Sequence, residues 1–368
     1  MEVEPDLVGG QVLAELLESV GREISESQRH QRMSCDAVVS TYLSLMASGP
    51  GRTLPKERKR LKKFSTLESL FDRLQSAERI VAIVGAGAST SAGIPDFRSK
   101  GGIYDMIRAD YGDLFDDPRL LFDESQFKLD PAPFFRVASK IISTTSTELI
   151  RPTKCHEFLA KLEQRGKLLR CYTQNLDGLE TRAGMTRVVH CHGNLSSSTC
   201  TICGKKYSTS IPPKDVVPRC DNDSGVLRPD IVFFGQDLPK EYRDHVEKDV
   251  KDTDLVLIFG SSLKVFPVAS LVTRFAHRVP IVLINREIVG KPHEFDIELL
   301  GDCDAVTQEL ERGLGWHVDK LASTTRSYEY LPPNTYVFDD DANGKRMEDV
   351  VGASSSKHRA KKHRPEEQ

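Results

Sequence analysis

The five residues Ile80-Val-Ala-Ile-Val84 run without a polar interruption straight into Gly85-Ala-Gly87. A run this short, apolar throughout and mostly β-branched, suits a strand buried on both faces, which is the condition of a parallel sheet. Parallel strands need crossover connections, so helices and strands should alternate along the chain. Two glycines at the strand's end permit a tight turn whose N–H groups can approach a phosphate. Ser89 and Thr90 add hydroxyls that can cap a helix or donate to a ligand. The full G-x-G-x-x-G spacing is absent, so the turn by itself does not identify a ligand.

The expected alternation is visible. Ser65 or Thr66 can cap a helix with Leu67, Leu70, Phe71 and Leu74 on one face. Residues 99–135, broken by Gly101-Gly102 and Tyr111-Gly112, read as a long loop with short helices. Loops this long inside a compact domain are usually functional. Phe134 to Ile142 and Cys155 to Arg165 have helical spacing, the second stopped by Gly166. Four apolar runs each end in a polar cluster. Ile80–Val84 leads to Gly85–Ser89, and Leu168–Tyr172 to Thr173-Gln-Asn-Leu-Asp177. Asp254–Phe259 leads to Gly260-Ser-Ser262, and Ile281–Ile284 to Asn285-Arg-Glu287. A short strand, Val188-Val189, precedes His190-Cys-His-Gly193. An open parallel sheet binds ligands beyond the carboxyl ends of its strands, so these clusters are expected to share one crevice. A dehydrogenase would carry an acidic residue at the end of its second strand, about 20 residues past the glycine turn. Asp105 and Asp110 fall instead in the punctuated loop, which argues against that class. The expected fold is α/β: a Rossmann-like parallel sheet with a small cysteine-bearing module at about residues 191–228 and a helical lid at 99–135.

The cysteines point to metal rather than to disulfides. Eight in 368 residues are too few and too scattered for a disulfide scaffold. Cys200-Thr-Ile-Cys203 and Cys220, spaced C-x2-C-x16-C, fit three ligands of a structural zinc site. The fourth position is Asp223, with Asp221 a competing carboxylate. A carboxylate is harder than a thiolate, so such a site should hold zinc less tightly than four cysteines. The net charge of −3 gives no general attraction to nucleic acid or anionic lipid, and no sequence-specific nucleic-acid binding is expected. No apolar run of transmembrane length and no signal-peptide core are present, so no membrane partner is expected. Basic clusters at 56–63 and 357–364 suggest a nuclear location, with the cytoplasm as a second one. Val12–Leu17 and Ala37–Met46 carry helix-like patterning in an N-terminal extension.

The segment after the first strand carries a resemblance. Gly85-Ala-Gly-Ala-Ser89 and Gly93-Ile-Pro-Asp-Phe-Arg98 together read G-A-G-x-S-x-x-x-G-I-P-D-F-R. This pattern resembles the sirtuin family, the NAD-dependent protein-lysine deacylases. Thr173-Gln-Asn-Leu-Asp177 resembles that family's T-Q-N-I-D, with Leu176 in place of Ile. His192-Gly193 resembles its catalytic histidine motif, and Val232-Phe-Phe-Gly235 its V-F-F-G-E, with Gln236 in place of Glu. Leu283–Glu287 and Phe295–Asp304 look most like the nuclear Sir2 subgroup, as does Tyr328–Phe338, whose alternating aromatic and β-branched residues independently suggest a strand. The likeness covers about residues 65–315, flanked by a helical and basic extension at 1–64 and a strand segment with a basic tail at 316–368.

The resemblance implies deacetylation of histone and other protein lysines, with NAD consumed and nicotinamide and O-acetyl-ADP-ribose released. It implies that the acyl oxygen attacks the ribose carbon bearing nicotinamide, giving an alkylimidate. His192 would then be the general base on a ribose hydroxyl, with Asn175 the second catalytic residue. Gly85, Ala86, Gly87, Ser89 and Arg98 would hold phosphates, and Ile94, Pro95, Asp96, Phe97 and Tyr104 would line the cofactor loop, with Phe97 shielding the reacting centre. Gln174 and Asn175 would face the ribose, with Leu176 alongside, and Asp177 would hold the nicotinamide carboxamide. Gly260, Ser261, Ser262, Asn285, Arg286, Glu287 and Cys303 would complete the cofactor site, Asn285 at the adenosine ribose and Cys303 near the adenine. Val232, Phe233, Phe234, Gly235 and Val265 would border the acyl-lysine tunnel and pair with the substrate backbone. Zinc would sit on Cys200, Cys203, Cys220 and Asp223. Two alternatives remain open at this point: an NAD-binding scaffold that recruits chromatin partners, and a protein mono-ADP-ribosyltransferase.

Overall fold

The computed structural model describes residues 58–112, 117–145, 150–208, 216–289, 295–316 and 328–338. The patterned segments at 12–17 and 37–46, the first two residues of the 56–63 cluster and the whole 357–364 cluster lie outside the described residues.

Thr66 caps helix α1 (Leu67–Ser76) by accepting from the Ser69 N–H. Strand β1 (Ile80–Val84) follows and is buried at all five positions. The loop region then forms α2 (Ile103–Tyr111), a 3₁₀ turn (Pro118–Phe122), α3 (Glu124–Leu129) and α4 (Ala132–Thr145). Next come α5 (Lys154–Gln164), β2 (Leu168–Thr173), α6 (Leu179–Arg182) and β3 (Val188–His190). Strands β4 (Gly193–Cys200), β5 (Lys206–Ser208) and β6 (Leu227–Ile231) make a separate antiparallel sheet in the order β5-β4-β6. The chain returns through α7 (Lys240–Asp252), β7 (Leu255–Phe259), β8 (Ile281–Asn285), β9 (Ile297–Leu300) and α8 (Cys303–Gly313). It closes with β10 (Tyr328–Leu331) and β11 (Thr335–Phe338).

The main sheet runs β10-β11-β9-β8-β7-β1-β2-β3 and is parallel throughout except for the β10–β11 hairpin. The stretch 328–338, expected as a strand, is therefore two strands folded back at Pro332-Pro333-Asn334. Alternation along β1 explains its continuous apolarity. Ile80, Ala82 and Val84 pack with α1, α5 and α8, while Val81 and Ile83 pack with α7 and the 268–274 segment. A two-sided core leaves no solvent face for a polar residue. No helix among the described residues is long and apolar enough to cross a membrane.

One buried carboxylate fastens the entry of the chain to the sheet. Asp296, just before β9, is fully buried and accepts from the Leu61 N–H at 2.7 Å, the Ile281 N–H at 2.8 Å and both Arg58 terminal nitrogens. Asp296→Ala should cost about 3 kcal/mol, because it leaves the buried Arg58 charge and two N–H groups without their acceptor. Urea unfolding would show this as a lower midpoint at unchanged slope. A midpoint within experimental error of wild type would refute it.

Candidate active site

The carboxyl ends of β1, β2, β7 and β8 are tied together by backbone hydrogen bonds. The Gly85 N–H donates to Phe259 O, Gly87 to Gly260 O, Gln174 to Val84 O and Gly260 to Ile284 O, each at 2.9 Å. The polar clusters at the ends of these four strands thus form one continuous rim, as the parallel-sheet argument requires. Gly85, Ala86, Gly87 and Ser89 turn directly beneath Gly260 and Ser261.

Side chains cross between the clusters. Asn175, 7% exposed, donates to Gly85 O at 3.2 Å and lies 3.3 Å from Ser89 Oγ. The Ser89 hydroxyl donates to Asp177 at 2.8 Å, and the Gln174 amide donates to Ser261 Oγ at 3.0 Å. Leu176 packs with the aromatic cluster, and Ser262 is half-buried beside Ser261. Asn285 donates to Glu287 O, Arg286 pairs with Asp302, and Cys303 is buried at the start of α8. These last residues lie at the far end of the rim, next to β9.

The His192 ring is fixed by one contact. Its Nδ1 lies 3.1 Å from the Gln174 carbonyl. A carbonyl can only accept, so Nδ1 carries the hydrogen and Nε2 is free to take a proton. Burial lowers the pKa of His192 below its ordinary value, and the bond to Gln174 O acts the other way. His190 differs. It sits in β3, its Nε2 lies 3.4 Å from Thr181 Oγ1, and its Nδ1 has no partner.

The loop after the glycine turn packs over this rim. Asp96 accepts from the Arg98 and Ser99 N–H groups at 2.8 and 2.7 Å, closing a tight turn behind Ile94 and Pro95. Phe97 lies edge-on to Tyr104 and Phe122, with centroids 5.7 and 5.8 Å away. Arg98 is exposed, stands over Tyr104 and makes no ion pair with a described carboxylate, so its charge is available to an anion. The aromatic cluster continues through Phe127 and Phe134 to the buried Phe233. The Phe234 N–H donates to Phe122 O at 2.8 Å, which attaches Val232–Gly235 to the loop helices. Phe234 itself is 39% exposed, and Val265 is half-buried. Gln236, at the position where the resembled pattern has Glu, is hydrogen-bonded through both ends of its amide. Its Oε1 accepts from Arg228 and from the Phe233 N–H, and its NH₂ donates to Glu124 at 3.0 Å. A carboxylate at 236 could not make the last bond and would repel Glu124.

In the antiparallel sheet, Cys200, Cys203, Cys220 and Asp223 bring their donor atoms within 4.8 Å of one another. Cys203 and Cys220 sulfurs are 3.7 Å apart, and Cys200 Sγ is 3.2 Å from Asp223 Oδ1. Two thiolates on a tetrahedral zinc, with bonds of about 2.3 Å, stand about 3.8 Å apart, so the set fits that ion. Asp221, the competing carboxylate, is turned to Lys205 and Tyr207. Sequence reading missed Gly225 here. A Cβ at this position would lie 2.6 Å from Cys200 Sγ and 3.0 Å from Asp223 Oδ1, inside the donor cradle. Its place two residues past Asp223 was the only available signal.

Comparison with known proteins agrees with this geometry. Residues 85–267 match the family model described as the Sir2 family. The chain is 42% identical over 276 residues to an NAD-dependent protein deacetylase sirtuin-1 from Rattus norvegicus, covering 73% of this chain and 49% of that protein. It is 35% identical over 303 residues to the NAD-dependent histone deacetylase SIR2 of Saccharomyces cerevisiae, covering 71% of this chain and 52% of that one. It therefore spans only about half the length of these relatives. A solved structure described as a Sir2 homolog–NAD complex superposes with a TM-score of 0.61 at 30% identity, covering 68% of this chain and 95% of that chain.

Proposed function

The chain belongs to the Sir2 family, and on that premise we propose that it is an NAD-dependent protein-lysine deacetylase acting on histone and other acetylated proteins. The observation that carries this reading is the meeting of His192, Asn175, Asp177 and the Gly85–Ser89 turn on one rim. NAD supplies a ribose carbon from which nicotinamide can leave. The protein's part is to bind, orient and exclude water. Arg98 would face the phosphates at the turn, whose Gly85, Gly87, Ala88 and Ser89 N–H groups already donate to backbone carbonyls, and Asn175 and Gln174 would face the ribose. Asp177, held by Ser89, would accept from the nicotinamide carboxamide. Gly260, Ser261, Ser262, Asn285, Arg286, Glu287 and Cys303 would hold the adenosine half, while Ile94, Pro95, Phe97 and Tyr104 would cover the reacting centre. His192 takes the ribose hydroxyl proton at Nε2 because Gln174 O keeps the hydrogen on Nδ1. An extended acetyl-lysine peptide would pair at Gly235 and Val265, next to Val232–Phe234 whose N–H groups are already bonded, with its acyl chain against the exposed Phe234 rather than the buried Phe233.

Residues 65–315 form the catalytic core in this reading, with 1–64 and 316–368 as flanking segments. The basic clusters at 56–63 and 357–364 favour action in the nucleus on chromatin-bound substrates. The test is NAD labelled in its adenine half, incubated with an acetyl-lysine peptide. Label in a small acetylated product supports the deacetylase. Label on protein would replace it with mono-ADP-ribosyl transfer, and unconsumed NAD with the scaffold.

Cys200, Cys203, Cys220 and Asp223 would hold one structural zinc that joins the ends of β4 and β6. Protein purified without chelator should contain about one equivalent of zinc, and Gly225→Ala should lower that content severalfold by filling the cradle. Less than about half an equivalent in the wild type would contradict the site.

A further inference from the structure

Beneath the Asn175–Asp177 loop lies a set of titratable groups that the reaction as described does not use. His156 on α5 and Glu180 on α6 are both 0% exposed. His156 Nε2 and Glu180 Oε1 are 4.0 Å apart. Neither that nitrogen nor either Glu180 oxygen makes a hydrogen bond. Together with an Asp177 oxygen, their polar atoms lie within 4.8 Å of one another. The other ring nitrogen, Nδ1, is anchored 2.7 Å from the Thr153 hydroxyl, which also reaches the Ala88 carbonyl at 2.9 Å. Ala88 belongs to the glycine turn. Asp177 accepts from Ser89 in the same turn and from the Leu179 N–H. The turn is therefore joined to the nicotinamide-side loop twice: above by Ser89–Asp177, and below by Thr153–His156 meeting Glu180.

Two carboxylates this close repel each other, and Glu180 is the fully buried one of the two. Asp177 accepts two hydrogen bonds. Glu180 accepts none at normal distance, so it is the partner that stays neutral. We propose that Glu180 and His156 act as a positioning pair, holding one labile proton between them so that no charge develops on Glu180 next to Asp177, which stays aimed at the cofactor. The proton belongs to the pair rather than to either residue. Burial, then the Asp177 charge, push the Glu180 carboxyl up to about 7, with the Thr173 hydroxyl opposing. Burial pushes His156 down, against Asp177 and Asp304. Cys171 on β2 and Cys191 after β3 are the other titratable groups that feel Glu180, and burial raises both thiols.

The inference rests on the reading of Asp177 as the residue at the nicotinamide carboxamide. Glu180→Gln keeps the shape and fixes the neutral state at every pH, which separates positioning from mere packing. Calorimetric titration of the full chain with NAD and with ADP-ribose, from about pH 6 to about pH 8.5, reads it. Wild-type affinity for NAD should fall about tenfold as the pair loses its proton, while Glu180→Gln stays flat and ADP-ribose, lacking nicotinamide, shows no such difference. A Glu180→Gln profile with the wild-type slope, or a flat wild type, overturns the proposal. Wild type that binds no NAD sinks the functional reading instead, and a second measurement then decides the proton. A carboxyl whose folded pKa lies above its unfolded one costs stability progressively as pH rises between the two values, and the cost persists above both. Urea midpoints of the wild type should therefore fall relative to those of Glu180→Gln between about pH 5 and about pH 8. Parallel midpoint curves overturn the proposal whether or not NAD binds.

Discussion

Replacing His192 with alanine should lower NAD-dependent deacetylation by about 10²- to 10⁴-fold, the usual contribution of a positioned general base. NAD binding should survive, because the residues that grip the cofactor in this reading belong to the strand ends and the cofactor loop. The size of the effect follows from the way the ring is held. Gln174 lies between the end of β2 and Asn175, so the carbonyl that fixes the His192 tautomer is part of the ribose-facing loop. In this reading, base and ribose would thereby be held by the same few residues. The sign of the pH dependence follows as well. Burial lowers the His192 pKa, so the neutral, competent ring persists below the ordinary histidine value near 6.5. The acid limb of the rate profile should fall at that lower pH and disappear in His192→Ala. Full activity in the variant would remove His192 from the reaction.

Gly260→Ala should cost about 3–5 kcal/mol and abolish NAD binding, since it combines a strained backbone with a backbone collision. Gly260 has φ +57°, and a Cβ there would lie 2.3 Å from Ala88 N and 2.6 Å from Gly87 Cα. The approach is mutual: a Cβ on Gly85 or on Gly87 would come within 2.7 Å of Gly260 backbone atoms. Three glycines thus let the turns after β1 and β7 touch backbone to backbone, and neither can move without breaking the Gly87–Gly260 hydrogen bond. Gly166 provides the control. It has φ +70°, but a Cβ there would meet nothing within 4 Å, so Gly166→Ala should cost only about 1 kcal/mol. Equal urea midpoints for the two variants would show that the contact does not matter.

The parts of the fold readable from the chain are those where one local signal suffices. Ile80–Val84 and Leu255–Phe259 are buried on both faces, so their composition alone marks them as parallel strands. The shared crevice followed from topology, because every such strand ends on the same side. What stayed hidden depends on partners distant in sequence. Glu180 looks like an ordinary helix residue until α5 brings His156 to within 4.0 Å. Gln236 looks like a loss of charge until Glu124, 112 residues earlier, is seen to accept from it. Asp296 follows an unremarkable phenylalanine, yet it collects Arg58, Leu61 and Ile281. The hairpin at 328–338 was hidden for another reason. Alternating residues show that a segment is extended but not where it reverses, and only the pairing of Leu331 with Thr335 locates the turn.

The most direct measurement is the mass of an acetyl-lysine peptide after incubation with the full chain, with and without NAD, beside His192→Ala. Loss of one acetyl group that requires NAD and is absent in the variant is the predicted result. An unchanged peptide mass across several acetylated sequences, from protein shown to bind NAD, would contradict the deacetylase reading.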